Sequence, residues 1–233
     1  MGIVIKSANR TITSPEIIPL LSKYGLLHRL AYEDIIEQAI ASIKCSKQEL
    51  VAAAKIWQPQ IESQKQYLSS EEVLAFTIRN IKIEKFKQIM WGKHLSAYFI
   101  SRKKQLDRVV YSCVQTQNKA LAWELYFRLI EGEQTLSELA KESTPERPIA
   151  VELGIEPVEL GSLTPAVIEQ LTTLEANSFT VPLAVKESFV IFYLEKHIPA
   201  QCDRQTSIRL LNELFDRWMQ QQLKEHQYHL EEN

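Results

Sequence analysis

Over the first hundred residues, apolar positions recur every three or four places, the period of a helix face. Ile17, Ile18, Leu20 and Leu21 follow Ser14, Pro15 and Glu16. That is a helix start, with Ser14 as cap, Pro15 in the first turn and an acid at the positive helix end. Leu27, Leu30, Ile35, Ile36, Ala39, Ile40 and Ile43 then make a broad stripe. Ser46 and Glu49 read as a capping box opening a helix to about Trp57, with Pro59 as the break. Ser69-Ser70-Glu71-Glu72 starts a further run to Phe76, and Ile81, Phe86, Ile89, Met90, Leu95, Tyr98 and Phe99 carry the period from Ile78 to about Arg102. The whole region is expected to be helical.

At Val109 the pattern changes. Val109-Val110-Tyr111-Ser112-Cys113-Val114 is a short apolar run of strand type. Gln117 to Leu139 then reads as an amphipathic helix, a stop and the start of a second helix, with Leu121, Leu125, Leu129 and Ile130 on one face of the first. Gly132 follows where a left-handed cap is expected, and a short second helix begins after it. Trp123, with Tyr126 and Phe127 beside it, reads as core. A loop rich in Pro and Glu precedes a strand at Pro157-Val158-Glu159-Leu160. A helix follows from about Thr164, the candidate cap, and Pro165 to Leu174, and closing strands at Phe179–Pro182 and Ser188–Leu194. Asp203 to Leu223 carries Ile208, Leu210, Leu211, Leu214, Phe215, Trp218, Met219 and Leu223 on one face over about five turns. This last helix is expected to fold back on the N-terminal ones, giving an α+β chain.

At 233 residues and 45% apolar content the chain is long enough to bury a sizeable core. A formal charge of −2 gives no global pull towards nucleic acid or anionic membrane. The stretch from Arg79 to Arg108 departs from that balance, with nine basic residues against two acidic ones. Trp91, Phe86, Tyr98 and Phe99 are interleaved, so nucleic-acid binding is a distant alternative to a solvated basic face over an aromatic core. Cys45, Cys113 and Cys202 show no CxxC spacing and suggest neither zinc nor a disulfide framework. The N-terminal apolar run is too short for a signal peptide, and no window reaches the roughly 20 apolar residues of a membrane span. A cytoplasmic location is therefore expected. No cofactor and no metal are expected either: the histidines are scattered, and His226-x-x-His229 lies in a polar tail.

The order VVYSCV, AWELYFRLIEGEQTLSELAKES, PVEL, a VP step and SFVIFYLEK resembles the parvulin-type peptidyl-prolyl isomerases. It is most similar to the cyanobacterial branch allied to SurA-like chaperones. Ala122, Leu125, Leu129, Gly132, Leu136, Leu139, Ala140 and Ser143 fall on that family's helix pattern. The resemblance implies a helical, chaperone-like domain formed by both termini (1–108 and 199–233) around an inserted parvulin-like β-α-β module (109–198). It also implies binding of unfolded or proline-containing polypeptide, with an export-machinery client among the expected partners.

Parvulins generally line the prolyl pocket with two histidines, a Cys or Asp, and apolar residues. Here the first-strand histidine falls on Tyr111 or Ser112, the last-strand histidine on Val190, and the Cys or Asp position near Pro145. Leu163 and Val167 fall near the Met and Phe positions, and Ile155, Phe179 and Phe189 join them as expected peptide-binding residues. The family's paired glycines fall near Glu152 and Leu153, with Gly154 close by. Two readings stay open: an isomerase working through an apolar groove, and a catalytically inactive chaperone or adaptor.

Overall fold

The computed structural model describes residues 4–7, 10–52, 69–142, 144 and 148–225. Trp57, Pro59, Ser143, Pro145, His226 and His229 lie outside them. The chain divides into two compact units, one built from residues 1–96 and 204–233, the other from 97–203. No helix among the described residues is long and apolar enough to cross a membrane.

The first unit begins with a feature the helical period does not announce. β1 (Val4–Ser7) and β2 (Arg10–Thr13) form an antiparallel pair with Val4 opposite Thr13 and Ser7 opposite Arg10. The expectation of an all-helical N-terminal region is therefore corrected. Val4, Ile5, Thr11, Ile12 and Thr13 are β-branched, and such residues favour the extended backbone. α1 (Ser14–Lys23) follows, and its cap is Thr13, not Ser14: the Thr13 amide and hydroxyl both donate to Glu16. Glu16 lies three residues after Thr13, the spacing a capping box requires.

α2 (Leu27–Ile40) buries Ala31, Ile35, Ile36 and Ile40. α3 begins at residue 47 and is described as far as 52. Its capping box is formed, with the Ser46 amide donating to Glu49 at 2.7 Å and the Glu49 amide to Ser46 Oγ at 3.3 Å. α4 (Ser70–Trp91) is one continuous helix capped by the Ser69–Glu72 box, so the two runs read from the sequence merge. A 3-10 turn (Gly92–His94) leads to α5 (Leu95–Leu106).

α9 (Arg204–Glu225) packs on α2 and α4. Ile35, Ile36 and Ile40 meet Phe86, Phe215 and Met219 there, and Trp91 and Trp218 close over them. The Phe86 and Trp218 rings are 5.0 Å apart. Lys87, buried at 7% exposure, donates to Glu84 and to Asn212 of α9 and lies 5.0 Å from the Phe215 ring. Its charge is thus spent inside the unit. Arg79 pairs with Glu33 and Glu37, and Lys85 with Glu49.

The second unit is an antiparallel sheet between helices. β3 (Arg108–Thr116) lies between β4 (Ala150–Glu152) and β8 (Ser188–Ile198), and β6 (Ser178–Phe179) flanks β8. β5 (Val158–Glu159) also pairs with β3, and β7 (Leu183–Val185) with β8. α6 (Lys119–Ile130) is capped by Asn118, which accepts from the Ala120 and Leu121 amides. It ends at Gly132, φ +74°, with the Glu133 amide reaching back to the Arg128 carbonyl. α7 (Leu136–Leu139) follows. Leu121, Leu125, Leu129 and Leu139 pack with Val114 and Ile191 on one sheet face. α8 (Pro165–Thr173) sends Leu171 to the other face, beside Val109, Leu160 and Leu194. Thr164 occupies the cap position of α8 without a side-chain cap bond. Of the aromatic trio read as core, Tyr126 packs half-buried against the α6-side cluster, whereas Trp123 and Phe127 stand on the outer side of α6 at 36% and 49% exposure, with Ile130 at 48%.

Candidate functional site

The sheet face beneath α8 is the place where the expected pocket residues meet. Strand alternation sends Tyr111 and Cys113 of β3, and Val190 and Phe192 of β8, to this side. Leu163, at the entry to α8, and Val167, within it, pack over them. Val190 and Phe192 are buried, at 6% exposure each, whereas Tyr111, Cys113, Leu163, Val167 and Leu183 are only half-buried. The result is an apolar patch with a partly exposed rim. The Tyr111 and Phe192 rings are 6.2 Å apart and tilted, which gives the patch a defined aromatic wall.

Two polar groups border it. Burial pushes the Tyr111 hydroxyl above its ordinary range, with Glu152 and Cys113 adding to the effect. Burial also pushes the Cys113 thiol up to about 11, assisted by the Glu152 carboxylate, which its sulfur approaches at 3.9 Å. Both groups are neutral at physiological pH. They can donate a hydrogen bond, but neither is an anionic nucleophile.

Ser112, the alternative position for the first histidine, points to the opposite face and is fully buried. Its hydroxyl donates to Glu195 Oε1 at 3.0 Å and accepts from the Gly154 amide at 3.0 Å. The register of β3 with β8 passes from Val110–Lys196 to Tyr111–Leu194, so Glu195 is the extra residue of a bulge. Such a bulge re-aims a side chain, here towards Ser112. Gly154 approaches so closely that a Cβ there would lie 2.1 Å from the Tyr111 carbonyl oxygen. Ser112 is thus a satisfied buried hydroxyl that ties three segments together. The histidine of this unit is engaged elsewhere: His197 Nε2 lies 3.7 Å from Asp107.

Phe179 also leaves the α8 face. It packs with the α6 side and stacks on Tyr193 at 4.4 Å. Phe189 pairs with Thr116, one position before Val190, and so alternates away from the α8 face as well. Ile155, at 89% exposure, projects from the loop between β4 and β5. The structure therefore unites Tyr111, Leu163, Val167 and Val190, and separates Ser112, Phe179, Phe189 and Ile155 from them. Cys113, Leu183 and Phe192 join the patch without having been expected there. The period of two along β3 and β8 carries the signal for Cys113, two after Tyr111, and for Phe192, two after Val190. Among the described residues no group of acidic, His and Cys side chains is placed to hold a metal.

No protein-family model and no curated protein matches the chain. Among solved structures it is similar to the peptidylprolyl isomerase PrsA of Bacillus cereus at 13% identity and a TM-score of 0.44, over 100% of this chain and 94% of that one. It is similar to PrsA of Bacillus anthracis at 16% identity and a TM-score of 0.37, over 87% of this chain and 100% of that one. A SurA-like chaperone of Campylobacter jejuni is similar at 13% identity and a TM-score of 0.34, over 98% of this chain and 100% of that one. At these scores the likeness carries no weight for a site or an activity.

Proposed function

We propose that the protein is a parvulin-like chaperone that binds unfolded or proline-containing polypeptide, with peptidyl-prolyl isomerisation as an activity of its second unit. The observation that carries this reading is the convergence of Tyr111, Leu163, Val167 and Val190 on one half-buried apolar face. Those are positions at which the sequence resemblance puts the family's prolyl pocket. The strand, long helix, short helix, strands, third helix and closing strands of residues 108–198 also follow the order of that resemblance. On this reading the α9-completed helical unit is the chaperone-like body. Export-linked clients and a cytoplasmic location rest on the sequence reading alone.

An X-Pro amide resists rotation by about 18–20 kcal/mol because resonance keeps it planar. An apolar face that grips the proline ring favours the twisted, less conjugated amide over the planar one, and no covalent step is needed. The protonated Tyr111 hydroxyl is the donor this patch offers to the amide, since the Cys113 thiol already faces the Glu152 carboxylate. The second reading, a chaperone or adaptor without isomerase activity, is favoured by Val190: an apolar, buried residue occupies the last-strand histidine position.

The deciding experiment is exchange NMR on short X-Pro peptides, with wild-type protein and with Leu163→Asp and Val167→Asp variants. Exchange faster than the uncatalysed tens to hundreds of seconds, lost in both variants, supports the isomerase. Binding without acceleration supports the adaptor. Peptides that bind neither the wild type nor the variants overturn both readings.

A further inference from the structure

α6 carries apolar residues on two sides. Leu121, Ala122, Leu125 and Leu129 are buried, and Trp123, Phe127 and Ile130 face outward at 36%, 49% and 48% exposure. A surface helix ordinarily has one apolar stripe and gives its other side to charged residues. The two outward rings are already arranged around Tyr126, which is itself half-buried against the core beneath. Trp123 and Tyr126 meet edge-on at 5.8 Å, and Tyr126 and Phe127 meet at 5.5 Å. Such packed aromatics lose little side-chain freedom on docking, a property of good contact surfaces.

Apart from Arg128, a last-turn base already paired with Glu124 and Glu142, the charges at the ends of this stripe run against the helix. Lys119 is exposed in the first turn, at the positive end of the macrodipole, and Glu131 and Glu133 are exposed just past the last turn, at its negative end. Each charge is unfavourable in an isolated helix. Each becomes favourable when a second α6 lies alongside in the opposite direction.

We propose that the outer face of α6 is a self-association surface on which a second copy of this chain docks its own α6, antiparallel across a two-fold axis. With the axis between Tyr126 and Phe127, Trp123 meets Ile130 of the second copy, and Lys119 meets the turn holding Glu131 and Glu133. One patch serves both copies, as an isologous contact requires. A foreign peptide of one charge sign meets its match at only one end of the stripe, whereas a second copy matches both ends. A twelve-residue helix offers well under the roughly 800 Å² per partner of a standard interface, so the dimer is weak, half-formed at about tens of micromolar chain.

The test is sedimentation velocity on the full chain from about 1 to 500 μM, a range bracketing that affinity. Wild-type protein is expected to pass from monomer to dimer. Phe127→Asp is expected to weaken the dimer by more than about tenfold, as loss of a central aromatic contact does. Lys119→Glu is expected to weaken it severalfold while leaving the melting temperature unchanged or raised, because an acid suits that helix end. The double variant Lys119→Glu with Glu133→Lys is expected to restore association. A monomer throughout, a dimer indifferent to Phe127→Asp, or a double variant no better than Lys119→Glu alone overturns the proposal. In each of those cases the stripe is left to a different partner.

Discussion

Gly154 shows how one missing atom fixes a local geometry. Its amide donates to Ser112, and a Cβ in its place would stand 2.1 Å from the Tyr111 carbonyl oxygen and 2.8 Å from its carbon. Those atoms are backbone in a central strand, so they cannot yield as a flexible side chain would. Gly154→Ala is expected to cost at least about 2 kcal/mol, read as a lowered urea midpoint with an unchanged slope. Ser112→Ala leaves the half-buried Gly154 amide and the Glu195 carboxylate without that partner, and is expected to cost about 1–3 kcal/mol by the same measurement. Cys113 makes a different kind of forecast. With its thiol pushed up to about 11 by burial and by Glu152, it carries almost no thiolate at pH 8. Mass spectrometry after alkylation of the native protein is expected to find exposed Cys202 modified and Cys113 intact, until denaturant is added.

Elements differ in how plainly they announce themselves. The boxes at Ser46–Glu49 and Ser69–Glu72 and the left-handed Gly132 are legible because each is a contract between residues a few places apart. The Thr13 cap is less so, since Thr13 and Ser14 both suit the role and only the distance to Glu16 chooses between them. The faces of the sheet are the hardest. Ser112, Phe179 and Phe189 are as strand-like as Tyr111 and Val190, and only the register with neighbouring strands assigns them to the α6 side. Asp107, between α5 and β3, is an anchor with no motif. Its buried carboxylate accepts from the Ala200 amide at 2.7 Å and from Lys103, while its carbonyl accepts from Leu160. Burial works to raise its pKa, but the Ala200 hydrogen bond, Lys103 and His197 outweigh burial and hold the carboxyl below the usual aspartate range. A depressed carboxyl contributes stability above its unfolded pKa and loses it as pH falls through the folded one. Asp107→Asn is therefore expected to be less stable than wild type by about 1–3 kcal/mol at pH 7. Urea midpoints of the two proteins should converge as pH falls below the ordinary aspartate range; a gap that persists there would place the effect in packing instead.

At the scale of the chain, the two units differ in continuity. Residues 97–203 are one uninterrupted segment, and both hydrophobic clusters of the sheet lie within it. The helical unit is assembled from two separated segments, and its core depends on the second: Phe215 and Met219 of α9 pack among Ile35, Ile36, Ile40 and Phe86. The apolar period of α9 is legible in the sequence, but the period names only a stripe, and the partner of that stripe is fixed by the fold. Deleting α9 removes the Phe215 ring and the Lys87–Asn212 hydrogen bond together. Loss of a single buried Phe costs about 3–5 kcal/mol, a large part of the roughly 5–15 kcal/mol that holds a domain together. A chain ending at residue 203 is thus expected to lose the helical unit and bind a dye that reports exposed apolar surface. A fragment of residues 97–203 should keep dispersed amide resonances, because all of its core residues are present. Comparing the NMR spectra of both pieces with the full chain checks this. If the 97–203 fragment collapses while the piece ending at 203 keeps its helical signals, stability flows from the helical unit to the sheet, and the division of the core between the two segments has been drawn in the wrong place.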